Sequence, residues 1–374
     1  MSGPTRRTRA LFTGYAHVHF ACFQPIYAAL AARPDVEVFV SGGLRTTLAP
    51  SPSDDDHEKH FSYDPDAMYR PFGIPRERIL SVERIQEEDF DVVFAGNTKI
   101  IRPRAADVAI QIFHGISFRN KAVRSAQSAD FFMLVGPYMQ RRFDEAGILA
   151  SSDPRGIPIG FPKTDPLRDG SLDRAALLRA HGLDGERPVV LYAPTGQRGN
   201  SMERFGLDVV RALEADGRFD VIVKLHDHPK DTRVDWRAEL RALGTKRVHV
   251  TDAVDVVPLL ALADLLVTDA SSVSSEYALT GKPVVFLDVP ELLARAAAAA
   301  ESALDLDTWG RRGGLVASGP EDIAEAIAHS LAHPDERRDV REAMARDLFF
   351  HPGRATQAAV QWLDATSFGR SARR

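Results

Sequence analysis

The chain has 374 residues, 44% of them hydrophobic and 26% charged, with a formal net charge of −5. That balance fits a globular protein with enough apolar material for two cores. It lacks the basic excess of a general nucleic-acid binder, and no nucleic-acid partner is expected.

Met1 to Arg9 is polar and basic, without the apolar stretch of a secretory signal. Ala10–Thr13 and Val36–Ser41 read as strands around a helix from about Gln24 to Ala32. Cys22 is the only cysteine, so an internal disulfide is impossible and a reducing, cytoplasmic setting is expected. Leu48 to Tyr69, with its acidic run Asp54–Glu58, reads as a surface loop rather than a cation site. Val92–Ala95, Val108–Phe113 and Phe131–Val135 follow as strands, then a helix from Pro137 to Ala146 stopped by Gly147. Ser151–Gly170, rich in Pro, Gly and Asp, reads as a linker. Beyond it, Val189–Tyr192, Val221–Leu225, Val248–Val250, Leu265–Thr268 and Val284–Leu287 are strands, and Gly353 to Phe368 is helical.

Strands apolar throughout suit parallel sheets covered on both faces. Their alternation with helices predicts an α/β protein of two Rossmann-like, doubly wound parallel-sheet domains facing each other across a cleft. The expected domains are an acceptor-side unit over 1–160, a donor-binding unit over 161–350, and a carboxyl-terminal helix over 351–374 that packs back across the boundary. No run approaches the ~20 apolar residues of a membrane span, so any membrane contact would be peripheral. Oligomeric state is not legible.

The most informative stretch is Thr268-Asp269-Ala270-Ser271-Ser272-Val273-Ser274-Ser275-Glu276, a strand end, tight turn and helix start. Ser271 or Ser272 would cap the helix, whose first N–H groups and dipole attract an anion, and Asp269, in the same turn, is expected at the donor site with them. Glu276, one turn on and about 6 Å away, would reach a ribose diol. The alternative is a plain serine cap with Glu276 facing water. Two other strand ends converge there. Thr195, Gly196 and Arg198 form either a phosphate-gripping loop or an ordinary turn with a solvated arginine. Lys224 and His226, on one side of an extended chain, would meet pyrophosphate charge. His226 and His228 have no further ligand at zinc-like spacing, so no metal site is expected, and a divalent-cation requirement stays open.

In the first half, His114-Gly115 ends a strand. A neutral histidine there could take a proton from an alcohol, with Gly115 leaving room for substrate. A purely structural histidine is the alternative. Ser117, Arg119, Asn120 and Lys121 could receive an anionic acceptor, and His17 and His19, in the first turn after a strand, could line the same side.

The set His114-Gly115-Ile116-Ser117, Leu191-Tyr192-Ala193-Pro194-Thr195, Lys224-Leu225-His226 and Thr268-Asp269-Ala270-Ser271-Ser272-Val273, followed by Gly353-Arg354-Ala355-Thr356, resembles the CDP-glycerol glycerophosphotransferases, the teichoic-acid primases and polymerases. The resemblance implies a GT-B architecture and transfer of glycerol phosphate, or another polyol phosphate, from a CDP-alcohol donor to a polyol-phosphate, glycan or lipid-linked acceptor, with no tightly bound cofactor. It implies that His114 is the catalytic histidine, His226 a second essential histidine, and Ser271 and Ser272 the donor-phosphate site. It also places the protein in the cytoplasm, at the inner face of the membrane. Two other readings share the cleft: a UDP-sugar glycosyltransferase or 2-epimerase, and a non-catalytic nucleotide-binding scaffold.

Overall fold

A computed structural model describes residues 6–47, 59–62, 64–96, 101–116, 129–227, 229, 231, 233–245, 247–299 and 304–366. The first six-stranded sheet is built from β1 (Thr8–Gly14), β2 (Val36–Gly42), β5 (Asp89–Ala95), β6 (Ala105–Ile112), β7 (Phe131–Leu134) and β8 (Gly156–Pro158). Between β2 and β5 lies a small antiparallel hairpin of β3 (Leu44–Thr47) and β4 (Lys59–Ser62). The second sheet holds β9 (Val189–Tyr192), β10 (Asp220–Val223), β11 (Val248–Val250), β12 (Leu265–Thr268), β13 (Val284–Leu287) and β14 (Leu315–Ala317). Paired strands in both large sheets run parallel.

Successive residues of each strand feed opposite faces, as the period of two requires. Phe12, Phe94 and Ile110 enter one apolar cluster of the first lobe, while Leu11, Val93 and Ala109 enter another. Val190, Val267 and Val285 do the same against Leu191, Leu266 and Phe286 in the second. The strand orders are β2-β1-β5-β6-β7-β8 and β11-β10-β9-β12-β13-β14. The order therefore reverses between β1 and β5 in one sheet, and between β9 and β12 in the other. Loops leave such points on opposite faces and open a crevice at the carboxyl edge.

The structure departs from the sequence-based expectations in three places. Helix α1 (His17–Ala31) starts at His17 rather than near Gln24 and carries Pro25 inside it. Burial of Phe20, Phe23, Ile26 and Leu30 on one side outweighs the lost amide hydrogen bond. Within the stretch taken for a surface loop, Pro65–Tyr69 is a helix capped by Asp64, with Met68 and Tyr69 fully buried and the Tyr69 hydroxyl donating to the Ser41 carbonyl at 2.7 Å. Residues 48–58, including Asp54–Glu58, lie outside the described residues.

The third departure is the stretch read as a linker. Ser151–Gly170 supplies β8 and a 3-10 helix, Pro162–Leu167, whose Lys163, Thr164 and Asp165 are buried. The Asp165 carboxylate accepts the backbone N–H groups of Ala355 and Thr356, both at 2.8 Å, and so anchors the start of the helix Ala355–Ala365. That helix places Ala359 and Leu363 in the apolar cluster of the first lobe. Gly160 sits at φ +97°, and a Cβ there would lie 2.1 Å from the Phe350 carbonyl oxygen, so only glycine lets the returning chain pass. Among the described residues no helix is long and apolar enough to cross a membrane.

Candidate active site

His114 stands exposed just past β6, at the carboxyl edge of the first sheet. Its Nδ1 lies 3.0 Å from the Gly96 carbonyl oxygen, at the end of β5. A carbonyl only accepts, so Nδ1 carries the proton and Nε2 keeps its lone pair. Among the described residues nothing hydrogen-bonds Nε2. The ring touches solvent yet has protein on most sides, and that surrounding mass lowers its pKa below the usual histidine value. The Gly96 bond opposes this shift and the Lys163 ammonium adds to it. The result is a neutral imidazole whose outward nitrogen is basic, the form a general base requires.

Lys163, from the 3-10 crossover, joins this edge to the second lobe. Its Nζ donates to both carboxylate oxygens of Glu276, at 3.0 and 2.9 Å, with the two side chains 7% and 8% exposed. Burial favours a neutral lysine, but the facing carboxylate outweighs it and holds the ammonium above its ordinary value. Burial likewise raises the Glu276 carboxyl, and Lys163 offsets part of that shift. This corrects the reading of Glu276 as a ribose contact or a solvated residue: both of its oxygens are occupied by the ammonium of Lys163, a residue 113 positions away.

The second crevice is organised by Asp269. This fully buried carboxylate accepts from the Thr195 and Ala270 N–H groups through Oδ1, at 2.9 and 2.6 Å. It accepts from the Ser201 N–H and Oγ through Oδ2, both at 2.8 Å. It thus ties the loop after β9 to the loop after β12, across the point where the strand order reverses. A carboxylate saturated by four donors is a brace, not a phosphate ligand, and the expectation that Asp269 binds donor directly is corrected accordingly. Thr195 is buried and contributes its N–H to that brace. Asp269→Asn keeps the shape but turns one acceptor into a donor facing other donors. We expect it to lower unfolding free energy by about 2–3 kcal/mol in chemical denaturation; a wild-type midpoint would remove the brace.

Ser271 is half-buried and Ser272 exposed at the tip of the short helix Val273–Tyr277. Ser272 occupies the cap position in a helical conformation, so its hydroxyl caps nothing. A cavity of about 390 Å³ opens at Ser271, Ser272 and Ser275, with Leu293, Leu306 and Trp309 across it.

β10 ends at Val223, so Lys224 and His226 lie past the regular strand, in different surroundings. Lys224 is buried, its Nζ 2.6 Å from Asp227 Oδ1 and 3.1 Å from the Leu225 carbonyl, whereas His226 is exposed. Arg198 Nε lies 3.6 Å from Asp231 Oδ2. His17, half-buried in the first turn of α1, has Nε2 3.3 Å from the Ala67 carbonyl and its ring against Phe72. Gly115 is half-buried, while Ser117, Arg119, Lys121 and His228 lie outside the described residues. Among the described residues no group of three or more His, Cys, Asp or Glu is placed to hold a metal ion. Sequence reasoning missed Lys163 and Asp165. The aromatic and charged run Gly160-Phe161-Pro162-Lys163-Thr164-Asp165, unlike a flexible spacer, was the available signal.

Two Rossmann-like lobes, each with polar groups gathered at its strand-order reversal, define the GT-B type of α/β fold. The chain belongs to the family described as CDP-Glycerol:Poly(glycerophosphate) glycerophosphotransferase, whose model matches residues 92–361. It is 34% identical over 133 residues to the teichoic acid glycerol-phosphate primase of Bacillus spizizenii, covering 35% of this chain and 33% of that protein. It is 28% identical over 212 residues to the teichoic acid ribitol-phosphate primase of the same organism, covering 50% of this chain and 53% of that protein. The chain thus spans about half or less of the curated relatives it matches. Solved structures of the wall teichoic acid polymerase TagF share its fold at a TM-score of 0.63 and 14% identity, over 97% of this chain and 90% of that one. The UDP-GlcNAc 2-epimerase from Neisseria meningitidis bound to UDP-GlcNAc shares it at 0.58 and 14%, over 96% and 100%.

Proposed function

We propose that this chain transfers a polyol phosphate, glycerol phosphate foremost, from a CDP-activated donor to an acceptor hydroxyl in the synthesis of a teichoic-acid-like cell-wall polymer. One observation carries the proposal: His114 stands at the crevice edge with Nδ1 held by the Gly96 carbonyl, which turns Nε2 into the accepting nitrogen, one salt bridge away from the serine-tipped helix. The acceptor O–H gives its proton to His114 Nε2 and its oxygen attacks the donor's β-phosphorus. The bond from that phosphorus to the bridging oxygen breaks, and CMP leaves with the electron pair. Donor phosphates sit against Ser271 and Ser272, where the exposed Ser272 hydroxyl tips the helix and the positive end of its dipole attracts an anion. Lys224, His226 and Arg198, on the neighbouring loops, answer the charge that grows on the leaving group. The acceptor enters from the His114 side. A lipid-linked acceptor would bring the protein to the inner face of the cell membrane.

Family membership weighs against the UDP-sugar and scaffold readings, which rest on fold likeness alone. The test is incubation of the full chain with CDP-glycerol, CDP-ribitol and UDP-GlcNAc, together with a panel of short polyol-phosphate acceptors. Mass spectrometry should find one polyol-phosphate unit added for each CMP formed. Turnover of UDP-GlcNAc alone, or CDP binding without product on any acceptor, would overturn the proposal.

A further inference from the structure

We propose that His19 is a positioning residue for His114, an inner imidazole against which the outer ring packs and by which it is aimed at the acceptor hydroxyl. The inference rests on the transferase reading of His114 and adds a residue that none of the sequence motifs contains.

His19 lies in the first turn of α1, in the crevice between β1 and β5, and is 6% exposed. Its ring centroid is 4.5 Å from that of His114, with the planes tilted by 49°. Its Nδ1 accepts the Tyr15 backbone N–H at 2.9 Å, so in the neutral ring the proton resides on Nε2. The two histidines thus carry opposite tautomers, each fixed by a backbone group: His114 by a carbonyl, His19 by an amide.

Gly96 makes the stack possible. A Cβ there would lie 2.9 Å from the His19 Cβ, 3.1 Å from the His19 carbonyl oxygen and 2.6 Å from the Phe23 ring. The same residue that gives His19 its space supplies the carbonyl that orients His114. Among the described residues, the titratable groups facing His114 are then His19 from α1 and Lys163 from the crossover, with Glu276 behind Lys163. Of these, only His19 touches the ring itself.

A histidine that merely closed the start of α1 would need its acceptor atom and nothing else. Two variants separate that role from positioning. His19→Asn keeps an acceptor near the place of Nδ1 but removes the ring, and His19→Phe keeps a ring but removes the acceptor. The full chain is followed by steady-state kinetics with CDP-glycerol and by nitrogen-15 NMR of the histidine rings. Expected for His19→Asn is a loss in kcat on the order of ten- to hundredfold with donor KM unchanged, because a misaimed base costs rate rather than binding. The His114 titration and tautomer signature should shift with it. Wild-type kcat and an unmoved His114 titration in His19→Asn, with only His19→Phe impaired, would overturn the proposal and leave His19 a helix cap. Movement of the His114 ring signals in a protein that transfers nothing to any acceptor would support the coupling of the rings while refuting the transferase reading.

Discussion

Replacing His114 with alanine should lower CMP release from a CDP-alcohol by about 10²–10⁴-fold, the usual worth of a positioned general base, while nucleotide affinity stays nearly unchanged. The ring stands on the first lobe and the proposed phosphate site on the second, so its removal leaves the phosphate contacts in place. Isothermal titration with CDP beside a CMP-release assay reads both quantities, and normal release by the variant would defeat the assignment. The pH profile carries a sign as well. The base works when neutral, so kcat/KM falls on the acid side as pH drops through the pKa of His114. Its surroundings hold that value below the ordinary 6.5, so the acid limb should lie below 6.5. Lys163→Met removes a nearby positive charge and should move that limb upward.

The second large effect concerns stability. Lys163→Met, made alone, strands the buried Glu276 carboxylate and should cost about 3–5 kcal/mol in urea unfolding. Glu276→Leu strands the ammonium and should cost a similar amount. The double variant, with both charges gone, should recover most of the loss, since apolar replacements of a buried pair are often neutral. Single variants as stable as wild type would mean that the two groups are not paired in solution. In the double variant the acid limb of the pH profile should still lie above that of the wild type, because the Lys163 charge that helps lower the pKa of His114 is gone.

Most of the parallel strands were legible because their side chains are apolar on both faces, and β9 to β13 lie within two residues of their expected bounds; the three-residue edge strands β8 and β14 were too short to stand out. The strand–turn–helix at Thr268–Tyr277 and the strand-end place of His114 were legible because local chemistry marks them. The start of α1 was not, since Pro25 is a strong local stop signal and only burial in the assembled lobe overrules it. Lys163 and Asp165 were not, because their partners lie far along the chain: Glu276, and the amides of Ala355 and Thr356. His19 was placed on the acceptor side, but its contact with the His114 ring, far along the chain, was not legible. Asp269 was assigned a ligand's role from its neighbours in sequence, while three of its four donors, from Thr195 and Ser201, lie some seventy residues away.

The helix that Asp165 holds by its first amides bears on how the protein is made. Ala359 and Leu363 complete the interior of the lobe that is synthesised first, yet both are translated after the whole second sheet. On the ribosome, the early lobe must therefore wait with an unfilled apolar face until translation has passed Leu363. A stop codon placed just before Ala355 should turn that delay into permanent exposure, and the shortened product should become a client for chaperones and proteases.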